Sequence, residues 1–203
     1  MKFVSFYLET SGLPVWSKPS DSVEQPHIVR ISAKKYDLRK SDSGDMASQF
    51  YSGSSFDAIS SVVDADWEIN KESELIHGIS NNMSIDQGFP EANLVDGFFK
   101  FVEDLPICSY NKQFDYRILR IALKRFFGEE DMANWEDRKK TGYYDVKSMY
   151  KDYCCERGIK CPAHPSFEAA YESLRNIKIV KSDRGQSRAK YCAEMFAACY
   201  VKI

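Results

Sequence analysis

Phe6-Tyr7-Leu8-Glu9-Thr10-Ser11-Gly12-Leu13 is the stretch on which the fold of this chain turns. Residues 2–8 are aromatic and β-branched enough for a buried strand. Glu9 to Pro14 then supplies the Thr, Ser, Gly and Pro that stop a strand. A carboxylate at the end of a buried strand, followed at once by a turn, marks a place where a functional loop begins.

Working outward, residues 16–26 are polar and carry two prolines, and residues 27–36 alternate in strand fashion. Residues 40–55, rich in Ser and Gly, read as a loop to a further strand-like segment. Residues 72–80 look helical, ending at Gly78. Residues 90–105 place Leu94, Phe98, Phe101, Val102 and Leu105 at helical spacing. Residues 106–110 are a short strand candidate leading into Asn111, and residues 114–127 continue as an amphipathic helix with Asp115 in its first turn. Helices are also predicted over 146–157 and 164–176, and a Lys/Arg-bearing segment, 178–190, leads into a closing helix over about 189–200. Strands first and mixed elements later mean α/β or α+β, and no internal repeat divides the chain.

With 203 residues, 43% hydrophobic and 14% aromatic, the chain can bury its apolar surface in one core, so residues 1–203 are expected to form a single domain. A net charge of −2 argues against a protein held on nucleic acid by bulk positive charge, so any such contact must be local. No apolar run approaches the ~20 residues that cross a bilayer, so no membrane association is expected. Cys108, Cys154, Cys155, Cys161, Cys192 and Cys199 follow no basic-then-apolar leader and read as reduced thiols of a cytoplasmic protein.

Four separated pieces together resemble the DnaQ-like, or DEDDh, 3′→5′ exonuclease family. Residues 6–13 resemble its first motif, Phe-Asp-x-Glu-Thr-Thr-Gly-Leu, with Glu9 and Thr10 in place and Tyr7 where the family has Asp. Ile76-His77-Gly78-Ile79-Ser80 resembles its His-Gly-Ile segment, whose backbone helps hold the terminal nucleotide. Tyr110-Asn111-Lys112-Gln113-Phe114-Asp115 resembles the His-Asn-x-x-Phe-Asp motif, with Tyr110 at the leading His. His164-Pro165-Ser166-Phe167-Glu168-Ala169 resembles the His-x-x-x-x-Asp motif, with His164 as general base and Ala169 at the position of a metal-binding Asp.

The resemblance spans about residues 3–180 and implies a ribonuclease H-like fold, a five-stranded mixed sheet flanked by helices. It implies Glu9 and Asp115 as metal ligands, His164 as catalytic base, and Thr10, His77, Gly78, Ile79, Asn111 and Phe114 as contacts to a substrate strand. Two-metal cleavage needs carboxylates that hold hard cations such as Mg²⁺ or Mn²⁺. Tyr7 is a neutral phenol at pH 7 and occupies space, while Ala169 offers no ligand. Glu168 is rotated by about 100° from the Ala169 direction, and Glu172 lies nearly one turn further along. The expectation is therefore an exonuclease-fold protein that binds the 3′ end of single-stranded nucleic acid and is catalytically impaired, with no metal cofactor required. The alternatives are an active Mg²⁺- or Mn²⁺-dependent exonuclease completed by Glu168 or Glu172, and a protein-interaction module within a nucleic-acid-processing complex.

Several features carry a plainer reading beside the functional one. Taken alone, Glu9 and Asp115 are ordinary surface or capping carboxylates, and His77-Gly78 a structural histidine before a C-cap. Cys154-Cys155, Cys161 and His164 lack the two spaced pairs of a structural zinc site. Lys178, Lys181, Arg184, Arg188 and Lys190 either follow a phosphate backbone or form a solvated face. The phenylalanines read as core, with only Tyr7 and Phe114 beside the site.

Overall fold

The computed structural model describes residues 1–39, 49–63, 65–180 and 184–200. Among these, five strands form one sheet: β1 (Lys2–Thr10), β2 (Ile28–Arg39), β3 (Gln49–Ile59), β4 (Ile107–Ser109) and β5 (Tyr143–Asp145), in the order β3-β2-β1-β4-β5. β1 runs antiparallel to β2, as β2 does to β3, whereas β4 is parallel to both β1 and β5. The expected five-stranded mixed sheet flanked by helices is the observed architecture.

β1 is central because its alternation serves two cores at once. Val4, Phe6 and Leu8 enter a cluster with Leu94 and Phe98 of α3 (Glu91–Val102) and with Ile118 and Leu119 of α4 (Lys112–Phe126). Trp135 of α5 (Glu129–Thr141) closes that side. Phe3, on the opposite face, joins Val146 and Tyr150 of α6 (Val146–Glu156), Phe167 and Tyr171 of α7 (Phe167–Arg175), and Phe196 of α8 (Gln186–Tyr200). Ser5 shares the Phe3 face; its buried hydroxyl donates to the Ala189 carbonyl at 2.7 Å and ties β1 to α8. Tyr7 and Glu9 continue the Phe3 face to the strand's carboxyl end, where the register with β2 shifts between Glu9 and Thr10. Such an irregularity re-aims the residues beside it.

Two short helices follow the first hairpin pair: α1 (Lys71–His77) and α2 (Asn81–Gln87). The Asn70 side chain accepts from the Ser73 N–H at 2.8 Å, capping α1, and donates to the Ser11 carbonyl at 2.7 Å, tying α1 to the loop after β1. Gly78 ends α1 at φ 75°, as its position in the sequence predicted.

Two expectations need correction, and one helix was not predicted. The loop assigned to residues 40–55 lies outside the described residues as far as 48, and from Gln49 onward it is strand β3. Its Ser and Gly content argues for a loop, but pairing with β2 from Arg39 to Arg30 overrides that local preference. A Cβ at Gly53 would stand 3.3 Å from both the Lys35 carbonyl and Cβ, so the missing side chain permits the close approach. α7 starts at Phe167 rather than 164, because Ser166 caps it, its hydroxyl accepting from the Ala169 N–H at 3.2 Å. The segment after residue 128, with few apolar residues, still forms α5, anchored by Trp135 packed flat against Tyr116 at 5.5 Å.

Candidate functional site

Because β1 and β4 are parallel, their carboxyl ends share one edge of the sheet, and the residues that follow each of them meet there. Such an edge is where open α/β sheets hold ligands. A cleft of about 450 Å³ opens at this edge, between the ends of β1 and β4, helix α1 and the first turns of α4 and α7. It brings together Tyr7, Glu9, Thr10, His77, Asn111, Phe114 and Asp115, seven of the residues nominated from sequence. Asn70, Ser73, Ile76, Tyr110 and Phe167 complete its walls.

Burial dominates the chemistry of the two carboxyls. Glu9 is 6% exposed, and its Oε1 has no hydrogen-bond partner among the described residues. Burial pushes its carboxyl up to about 7 against the opposing pull of Arg184, Arg188 and Arg30. Asp115, in the first turn of α4, is 8% exposed and likewise raised by burial to about 7, while hydrogen bonds from Ser109 and Asn111 oppose the rise and Asp145 adds to it. Tyr7 is raised well above the ordinary phenol range, first by burial and then by Glu9, so it stays neutral. Its ring sits 6.3 Å from that of Phe167, whose other neighbour is Tyr110 at 5.1 Å.

His77 is the last residue of α1 and only 6% exposed. Its Nδ1 accepts the Ile79 N–H at 3.1 Å, which places the proton of the neutral ring on Nε2. Burial, and then Arg184, hold this imidazole below its usual range. Nε2 is buried without a partner among the described residues. The cleft therefore holds an orphaned acceptor, Glu9 Oε1, and an orphaned donor, His77 Nε2. The Ile79 N–H is committed to His77, and the Ile79 side chain packs with Val29 and Ile69 in a separate cluster. Neither Gly78 nor Ile79 lines the cleft.

The α7 side departs furthest from expectation. His164 lies in the exposed loop before α7, and Ala169 is exposed on its first turn; neither lines the cleft. Glu168 is bound to Arg188 at 2.7 Å, and the Arg188 guanidinium lies 4.8 Å over the Phe167 ring. Glu172 is also absent from the cleft walls. Among the described residues no group of three His, Cys, Asp or Glu is placed to hold a metal ion, neither here nor around Cys154 and Cys161. With a neutral phenol at Tyr7 and Ala169 outside the cleft, Glu9 and Asp115 alone do not fit a pair of divalent cations.

The basic segment divides. Arg188 is 2% exposed and turned inward, Lys190 reaches Glu194 at 3.9 Å on α8, Lys178 is exposed, and Lys181 lies outside the described residues. Sequence reasoning placed Phe167 in the core, quoted Ile76 only as the residue before the His-Gly-Ile segment, and did not name Asn70. Phe167 does join the core, and it also walls the cleft. Its position inside the fourth motif is the signal that could have found it.

A five-stranded mixed sheet with helices on both faces and a cleft at the carboxyl ends of β1 and β4 defines the ribonuclease H-like exonuclease fold. Solved structures of E. coli exonuclease I share it. One superposes at TM-score 0.70 with 18% identity, covering 97% of this chain and 40% of that one. A complex with a dT13 oligonucleotide superposes at 0.69 with 17% identity over the same shares, and a complex with SSB-Ct at 0.66 with 16% identity over 97% and 40%. The chain thus spans about two fifths of the length of these structures. No family model and no curated protein matches the sequence.

Proposed function

We propose that this cleft receives the 3′ end of single-stranded nucleic acid and that the chain binds such ends without cleaving them at the rate of a two-metal exonuclease. The carrying observation is the cleft itself: Glu9 and Asp115 are buried together in it, a neutral Tyr7 lines it beside Phe167, and Ala169 lies outside. In this reading the site is of the DEDDh type with two of its carboxylate positions replaced. Thr10, His77, Asn111 and Phe114 are its substrate contacts, and residues 1–203 act as one domain. The oligonucleotide seen bound to exonuclease I supports the ligand class, and its SSB-Ct complex supports a protein partner within a nucleic-acid-processing assembly. Six free cysteines accord with a reducing, cytoplasmic setting.

A labelled single-stranded oligonucleotide with Mn²⁺ tests the reading. The unmodified chain is expected to shift the strand without shortening it, and Tyr7→Asp/Ala169→Asp to restore digestion. Shortening by the unmodified chain at a rate comparable to the double variant sinks the proposal.

A further inference from the structure

We propose that the guanidinium groups of Arg184 and Arg188 supply the positive charge with which the cleft holds the phosphate of a terminal nucleotide, so that binding requires no divalent cation. This rests on the 3′-end reading above and goes beyond it in naming the source of the charge.

The start of α8 is built to deliver these two side chains. Gln186 Nε2 donates to the Ala33 carbonyl at 3.1 Å and to the Phe56 carbonyl at 2.6 Å, pinning the helix start across β2 and β3. Gly185, at φ 53°, passes so close to β2 that a Cβ there would stand 2.6 Å from the Arg30 guanidinium carbon and 2.7 Å from Ser32 Oγ. Arg30 is the cross-strand partner of Glu9, so this anchoring brings residue 184 to the end of β1. Arg30 is itself occupied by a two-point pair with Asp57.

Arg188 lies one helical turn beyond Arg184. It is fixed by Glu168 at 2.7 Å and by the face of Phe167, a wall of the cleft. Arg184 has no ion-pair partner among the described residues. The charge of Arg184 reaches Tyr7, Glu9 and His77 in the cleft and Glu168 outside it, although neither arginine is itself one of the lining residues. Where the family resemblance implies carboxylates gathered around cations, this chain brings two arginines of the α8 start towards the strand end that carries Glu9. A phosphate in the cleft then lies near this guanidinium charge and meets the orphaned His77 Nε2–H.

The test measures binding of a 5′-labelled single-stranded oligonucleotide by fluorescence anisotropy in EDTA and in Mg²⁺, with thymidine monophosphate and thymidine as competitors. Affinity is expected to differ by less than about twofold between EDTA and Mg²⁺, and only the monophosphate should compete. Arg184→Ala should weaken binding in EDTA by about tenfold, the loss expected for one charged hydrogen bond, with Arg184→Lys recovering part of it. Because Arg188 is buried and paired, Arg188→Lys rather than alanine probes it, with the thermal midpoint checked alongside. Binding lost in EDTA, regained in Mg²⁺ and indifferent to Arg184→Ala overturns this inference alone and leaves the 3′-end reading standing. Equal competition by thymidine also overturns it. No binding of any strand in either condition overturns both.

Discussion

Glu9 and Glu91 are buried to nearly the same degree, 6% and 5% exposed, and both lie by the β1–β2 pair, Glu91 against Ile28, the strand partner of Thr10. Glu91 opens α3 with its hydrogen bonding complete: Oε1 accepts the Ile28 N–H at 2.8 Å, Oε2 lies 2.7 Å from His27 Nδ1, and Arg125 stands 3.5 Å away. Trp67 stacks on the His27 ring at 4.5 Å and shields the group. Glu9 ends β1 with Oε1 unpartnered and its carboxyl pushed up to about 7. Both glutamates line clefts, but one has its oxygens bound by the protein around it, whereas the other keeps an oxygen without a partner among the described residues. Buried polar atoms left open at a cleft are where natural proteins give up stability for function.

The largest expected effect lies on the closed side. Glu91→Ala should cost about 3–5 kcal/mol, because it strands His27, the Ile28 N–H and Arg125 together. Urea denaturation reads this directly, and a loss below about 1 kcal/mol breaks the comparison.

On the open side the sign reverses. The folded carboxyls of Glu9 and Asp115, at about 7, lie above their ordinary values of 4.5 and 3.8, so the native state holds their protons more tightly. Their contribution to stability therefore falls as pH rises from the ordinary values towards 7, then levels off. Glu9→Gln is expected to stabilise the fold by about 1–2 kcal/mol at pH 8 and to remove part of the decline. Thermal melts of both proteins across pH 5 to 8 would show converging midpoints at the acid end. A variant less stable than the parent at pH 8 means that Glu9 is a satisfied structural group after all.

The smallest effect concerns the wall that carries His77. Asn70→Ala removes the cap of α1 and its tie to Ser11, and should cost about 1 kcal/mol. Oligonucleotide affinity should weaken with it if α1 positions the orphaned His77 nitrogen. Unchanged affinity separates that helix from the binding site.

Where the local pattern was strong, the reading and the structure agree: β1, the alternating β2, the helix with Leu94 and Phe98, and the helix that opens with Asp115 all stand. The first part of β3, Gln49 to Ser55, was read as loop because its Ser and Gly residues become a strand only when β2 lies beside them. The motifs named seven cleft residues but placed His164 and Ala169 there as well, since a motif carries order and spacing, not the direction in which a loop leaves the sheet. Arg184 and Arg188 were visible only as members of a basic segment, because being turned inward is a property of how α8 is anchored.

By itself the sequence determined the alternation that buries both faces of β1, and the residue types at Tyr7, Glu9, Asp115 and Ala169. Side-chain chemistry and strand period are local and survive in any context. Only the tertiary structure decided that Glu9 and His77 each keep a buried atom without a partner among the described residues, and that the charge of Arg184, from near the other end of the chain, reaches both. Burial and charge proximity arise from segments distant in sequence, and no local pattern encodes which of them will meet.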